Sequence, residues 1–453
     1  MKKYIVILTI AAAMTACSDF TEIIPKGKVI PTTTEDYREM TIDVANSSTG
    51  FPIANVSCDD VFSTDQNGVS ATSKAYFWLE DFYKVNENDD AWNKTYAHIY
   101  VMNVVIGNVM ASTEGTTSEK QAILTEAKVW RAYYYWYLQS LYAKDYNEAT
   151  AATDLSVPLS LTPDLEAKLP RATVREVTDQ IWADLDEAEK NLPDQATNAF
   201  RPTKGAVYAL KARILFYEHK YDEAAEQARL ALSVNNSLYD MRTWTFKKSS
   251  KPSAGINGRE IHNYKSPEKL WYMSNSFSSL ITSFCISDDL KDLYDEGDLR
   301  FKFYFSNLTR TGGPWEDGRY RYLQNLDYSF SVPEMMLIEA EALARNNDSK
   351  ALDIINKLRI KRIDAEHYKP LTANKDTSLL DIVLKERRRE LCLNSLRWLD
   401  MKRLAAEGIY KTVLKREFNG VTYKLEPNSK LYVLPIPLQV LSLNKNIIPN
   451  NRK

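Results

Sequence analysis

From Gln121 onward the apolar residues Ile123, Ala127, Trp130, Tyr134, Tyr137 and Leu141 fall in steps of four and three, which places them on one face of a helix. Val129, Tyr133 and Trp136 widen that face and predict a helix buried on most sides. Thr173-Val174-Arg175-Glu176 has the form of a capping box, in which Thr and Glu satisfy each other's orphan amides at a helix start. Val174, Val177, Ile181, Leu185, Ala188 and Leu192 then carry an apolar stripe until Pro193 ends it. Thr203 opens a further helix through Val207, Leu210, Ile214 and Tyr217, and Ser331-Val332-Pro333-Glu334 repeats the capping pattern ahead of Met336, Ala340 and Leu343.

Two segments share one plan: ALKARILFYEHKYDEAAEQARLALSV from Ala209 and IEAEALARNNDSKALDIINKL from Ile338. Each reads as a helix, a short polar turn and a second helix, with small residues such as Ala224, Ala228 and Ala351 at the seam. They resemble degenerate tetratricopeptide repeats, with His219 and Asn347 or its neighbours where the turn usually has glycine. Hairpins of this kind stack because no single pair buries its apolar face. The expected fold is mainly α, an α-α superhelix of such repeats over about 90–235 and 330–403. Between them, about 237–328 is rich in Gly, Ser, Asn and aromatics with weak periodicity, and predicts an irregular loop-rich lobe whose best strand is Leu270-Trp271-Tyr272-Met273. Loops mounted on a rigid scaffold are where binding residues concentrate.

The N-terminus is organised differently. Lys2 and Lys3, an apolar run from Tyr4 to Met14 and then Met14-Thr15-Ala16-Cys17 describe an export signal too short to span a membrane permanently. The tetrapeptide resembles a bacterial lipobox. That implies cleavage before Cys17 and acylation of its thiol, so residues 1–16 are expected to be a signal peptide and 17–453 one mature domain.

Composition changes the picture in three places. A net charge of −2 argues against a nucleic-acid partner, which needs a concentrated basic surplus. Beyond Cys17, the cysteines Cys58, Cys285 and Cys392 are too widely spaced for a zinc site or disulfide framework. The 27 Tyr and 9 Trp exceed what a core of this size asks for, and these side chains suit ligand platforms.

Catalytic signals are sparse. His98, His219, His262 and His367 are scattered, and neither a nucleophile motif nor a glycine-rich phosphate loop is present. Acid-rich loops leave room for a calcium ion but lack calcium-loop spacing, so no cofactor is expected. Asp59-Asp60 and Asp288-Asp289 are the candidates for a glycosidase pair, though adjacent acids of this kind are more often turns and helix caps. The run from Lys385 to Glu390 alternates acids and bases three or four apart, which suits ion pairs along a helix rather than a basic docking face. Trp92, Trp130, Trp136, Trp182 and Trp398 fall on helical stripes or signature positions and are expected in the core. Trp78, which precedes the first scaffold helix, and Trp315, Tyr320 and Tyr322, which lie near Gly312, Gly313, Pro314 and Gly318, are the expected ligand-binding residues. Asp317, Arg319 and Asn325 stand nearby to supply hydrogen bonds, and Trp271 on the strand fits either class.

In order along the chain, several pieces resemble the SusD/RagB nutrient-binding lipoproteins of Bacteroidetes. They are Cys17-Ser18-Asp19-Phe20, the Trp92…Tyr96…Ile99…Asn103 helix, Glu126-Ala127 with Arg131-Ala132, and Pro170-Arg171-Ala172-Thr173. Further on come Asp298-Leu299-Arg300, Glu334 with Ala340-Glu341-Ala342, KERRRELCLNSLRWLDMKR from Lys385 to Arg403, and Leu434-Pro435-Ile436-Pro437. Asn394-Ser395 stands where the family usually has Glu-Gly, and Ala143-Lys144-Asp145 where a glycine is common. The resemblance implies a surface-exposed outer-membrane lipoprotein that binds oligosaccharide, or peptide in the RagB branch, for a TonB-dependent SusC-like transporter. A surface glycoside hydrolase is the alternative from another class.

Overall fold

The computed structural model describes residues 31–46, 52–64, 70–80, 82–87, 89–194, 198–257, 264–273, 283–324, 326–372 and 377–452. Cys17, with the signal and lipobox expectations attached to it, lies outside them. The scaffold is helical: α1 Asp90–Asn108, α2 Thr117–Tyr142, α3 Val174–Asn191, α4 Lys204–Tyr217, α5 Tyr221–Val234, α6 Val332–Arg345, α7 Lys350–Arg359, α8 Leu379–Glu390 and α9 Leu396–Ala406. Each helix packs on its sequence neighbour from α1 to α5, α6 then lies against α5, and both α7 and α8 lie against α6. This nearest-neighbour order is that of a helical solenoid. Tyr133, Tyr134 and Tyr137 are fully buried on α2, as the widened stripe predicts, and so is Tyr135, which lies outside it.

Local chemistry sets the helix ends. Glu176 N–H donates to Thr173 Oγ1 (3.1 Å) and Thr173 N–H donates to Glu176 Oε2 (2.7 Å), closing the predicted box; Thr116 and Glu119 form a second. At Ser331 the expectation holds in half. Its hydroxyl caps Glu334 N–H, but the Glu334 carboxylate receives Arg213 (2.6 Å at Nε). Arg213 is 3% exposed, and a buried guanidinium left without a carboxylate is far costlier than an uncapped amide. The two repeat turns match each other: His219 (φ 62°) and Asn347 (φ 55°) are left-handed. In each, the next residue's N–H reaches back five positions, Lys220 to Leu215 O and Asp348 to Leu343 O, the closure a glycine usually provides.

The departures from the family pattern divide in the same physical terms. Ala143 is extended (φ −114°) and needs no glycine. Ser395 is left-handed (φ 69°), where a Cβ is unfavourable by about 1–2 kcal/mol; its N–H is held by Asn55 Oδ1 at 2.7 Å.

The region between the repeats is irregular, with short antiparallel strands: β3 Phe284–Ile286 pairs with β1 Val61–Ser63 from upstream of α1, β2 Lys269–Trp271 with β6 Phe330–Ser331, and β4 Phe305–Ser306 with β5 Arg321–Tyr322. A hairpin of β7 Leu414–Phe418 and β8 Val421–Leu425 follows α9, an element outside the expected repeats and lobe.

The basic–acidic run on α8 is structural, though its partners lie mostly across the fold rather than along the helix. Fully buried Glu386 accepts from Arg300 (2.7 Å), Arg359 (3.0 Å) and Arg389 (3.0 Å). Glu390 accepts from Arg300 and Arg362, Arg387 meets Asp400, and Arg388 meets Asp60. Asp298 caps the short helix Leu299–Tyr304 and forks onto Arg300. These pairs lock α7 and α8 to the loop-rich lobe, and α9 to α8.

Candidate functional site

The β4–β5 connection builds the most distinctive surface feature. Thr309 N–H donates to Gly313 O (2.7 Å) and Trp315 N–H to Asn307 O (2.9 Å), so the connection folds back on itself. Gly312 has φ 97°, and a Cβ there would meet Ser250 O at 3.1 Å; glycine lets this loop rest against the 248–254 turn. Between them lies a hollow of about 230 Å³ lined by Lys251, Ser253, Ser306, Leu308, Arg310, Trp315, Arg321, Tyr322 and Leu323. Arg321 is 4% exposed. Its guanidinium sits 4.0 Å from the centroid of the Trp315 ring, donates to Asp317 at 2.9 and 2.6 Å, and through that bond holds the Asp317 carboxyl at about 2. Arg321 Nε, also buried, has no hydrogen-bond partner among the described residues.

The expected ligand residues separate here. Trp315 and Tyr320 are half-buried. Trp315 lines the hollow, whereas Tyr320 is outside its lining and packs 4.9 Å from Phe301. Tyr322 reaches the same hollow but is 6% exposed, its ring packed on Phe305 and Tyr304. Trp78 and Trp271 are corrections. Trp78 is 3% exposed, donates Nε1–H to Ser57 O (2.9 Å) and carries the Arg416 guanidinium at 4.2 Å. Trp271 is fully buried against Trp130, Tyr133 and Phe330, with Nε1–H on Phe200 O. Rings so enclosed offer no face to a ligand. Of the tryptophans expected in the core, Trp92, Trp130, Trp136 and Trp398 are buried and Trp182 is half-buried with Nε1–H on Glu218. Arg319 lies over Phe62, and Asn325 falls outside the described residues. Lys251, Arg310 and Arg321 were missed: Lys251 is brought to the hollow from a turn 64 residues before Trp315, which no local pattern announces.

The acid pairs are engaged elsewhere. Asp59 takes both arms of Arg397 at 2.7 Å, Asp60 takes Arg388, and Asp288 opens a short helix near Arg319.

A larger groove of about 1210 Å³ runs between the 144–155 loop, the α4–α5 turn and the C-terminal segment. Its polar groups are largely paired among themselves. His219 bridges Asp145 (2.6 Å) and Glu407 (2.8 Å); burial lowers its pKa, but the two carboxylates outweigh that and raise it to about 9. Lys144 meets Asp154, and Lys402 donates to Ala143 O at 2.7 Å. Burial brings Lys402 down to about 8. Because Lys251 and Arg310 in the smaller hollow have no side-chain partner among the described residues, it is the better candidate.

Comparison with known proteins fits this architecture. Residues 34–216 match a family described as "Starch-binding associating with outer membrane", and residues 324–452 match the SusD family. The chain belongs to the SusD/RagB family. The SusD-like protein P2 of Formosa agariphila is 23% identical over 100% of this chain and 99% of its own length. A SusD superfamily protein of Bacteroides thetaiotaomicron superposes with TM-score 0.71 at 18% identity, over 93% of this chain and all of that one. A SusD-like carbohydrate binding protein of Bacteroides vulgatus gives TM-score 0.67 at 19% identity, over 92% and 97%. The SusD helical scaffold therefore carries the Trp315 hollow on its loop-rich side.

Proposed function

We propose that this protein binds oligosaccharide at the cell surface and passes it to a TonB-dependent SusC-like transporter, held to the outer membrane by lipid on Cys17. The observation that carries this reading is Trp315, a half-buried indole lining a hollow with hydrogen-bond donors, in a SusD-family chain whose solved relatives include a carbohydrate-binding protein. Sugar rings present apolar C–H faces that stack on indole, while their hydroxyls need polar partners. The lipobox resemblance and the family's outer-membrane description support the location.

The test is calorimetric titration with the oligosaccharide that a glycan array selects. Loss of a central stacking aromatic is unfavourable by roughly 2 kcal/mol, so Trp315→Ala weakens binding about thirtyfold. Its melting temperature falls by about 1 °C, the loss of one cation–π contact with Arg321. Trp271→Ala opens the core instead and lowers stability by about 3–5 kcal/mol. Unchanged affinity in Trp315→Ala would sink the reading.

A further inference from the structure

We propose that the Trp315 hollow selects acidic oligosaccharides, those carrying a uronate carboxylate or a sulfate ester; this rests on the carbohydrate reading above and adds the class of sugar. The lining is unbalanced in its hydrogen-bonding chemistry. Its charged members, Lys251, Arg310 and Arg321, are all cations, and Lys and Arg side chains donate without accepting. Neutral sugars, whose hydroxyls both donate and accept, are matched by mixed donors and carboxylate or amide acceptors. Among the described residues no carboxylate or amide side chain lines this hollow, so its side-chain acceptors are the hydroxyls of Ser253, Ser306 and Tyr322, of which Ser306 already accepts from Leu308 N–H.

Only one of the three cations is neutralised. Asp317 balances Arg321, while Lys251 and Arg310 have no side-chain partner among the described residues. Arg321 itself is nearly fully buried and already paired with Asp317, and its Nε has almost no accessible surface, so the cations open to a ligand are Lys251 and Arg310. A ligand whose ring lies on the indole and whose anion meets Lys251 and Arg310 supplies what the hollow lacks, and charge-assisted bonds of this type are about twice as strong as neutral ones.

The experiment uses affinity electrophoresis of the mature chain through gels that each hold one polysaccharide. The acidic arms are polygalacturonate and alginate for uronates, chondroitin sulfate and carrageenan for sulfates; the neutral arms are starch, arabinoxylan and galactomannan. Retardation is expected from at least one acidic polymer, and is lost when that polymer is carboxyl-reduced or desulfated. Which arm responds identifies the anion. Arg310→Ala and Lys251→Ala each weaken that binding about tenfold, the equivalent of roughly 1.4 kcal/mol. Lys424→Ala, on the exposed β8 and outside the lining of the hollow, leaves it unchanged. Lys251 and Arg310 are at least partly exposed, so the variants fold, which circular dichroism checks. Retardation by neutral polymers alone overturns the proposal and leaves the carbohydrate reading standing. Acidic binding untouched by both substitutions overturns it as well, since the anion is then held elsewhere. Silence across every gel removes both readings.

Discussion

Replacing Glu386 by glutamine removes the charge on which Arg300, Arg359 and Arg389 converge, while keeping the shape of the side chain. Glu386 and Arg300 are both fully buried, and the three N–O distances are 2.7 to 3.0 Å. Burial pushes the Glu386 carboxyl up, but the Arg300, Arg389 and Arg359 charges outweigh it and hold it at about 2, against an ordinary 4.5. That difference corresponds to roughly 3 kcal/mol of native-state preference for the ionised form, in line with the roughly 3–5 kcal/mol lost when one partner of a buried pair is removed. Unfolding entropy near 2.1 cal/mol/K per residue, over 453 residues, is about 1 kcal/mol/K, so Glu386→Gln lowers the melting temperature by about 3–5 °C. Calorimetry at pH 7 measures this, with Lys385→Gln, an exposed neighbour, as the control expected to stay within about 0.5 kcal/mol. The pH dependence has a definite sign. Because the native pKa is depressed, the stabilisation is complete above 4.5 and is lost as pH falls toward about 2. The gap between wild type and Glu386→Gln therefore narrows as urea denaturation is repeated at lower pH, from about 4.5 downward. A shift below 1 °C at neutral pH, or a gap that does not shrink in acid, would refute the claim that this carboxylate organises the α7–α8 junction.

His219 makes the opposite prediction: with its native pKa raised to about 9, its bridge is complete below about 6.5 and lost as pH rises through 9. The stability difference between wild type and His219→Gln thus falls from roughly 2 kcal/mol at pH 6 to near zero by about pH 10, and a pH-independent difference would contradict the bridge. For the anchor, cells fed a fatty-acid probe should label the protein, Cys17→Ala should abolish the label, and unlabelled wild type would remove the lipoprotein reading.

The sequence by itself determined what depends on near neighbours. Helix starts at Thr173 and Ser331 are legible because a cap is made within three residues, and the two hairpins because their apolar period and small seam residues repeat. Even so, the left-handed turns at His219 and Asn347 carry no glycine to mark them, and they hold because the next residue's N–H closes back on the helix, Lys220 onto Leu215 O and Asp348 onto Leu343 O. Tertiary structure decided everything that requires distant chain to meet. The motif containing Glu386 reads as a ladder along one helix, but desolvated arginines take whichever carboxylate the fold brings, and Arg300 lies 86 residues away. Trp78, Trp271 and Trp315 are alike in sequence: aromatic, near turns, outside the strong stripes. Exposure is what separates them, and it is set by Arg416 and Ser57 closing over Trp78 and by Trp130 and Phe330 enclosing Trp271, whereas Trp315 is left at the edge of a hollow whose Lys251 arrives from another turn. Hydrophobic periodicity reports which face of an element turns inward; it says nothing about an irregular segment, where burial depends on what packs over it.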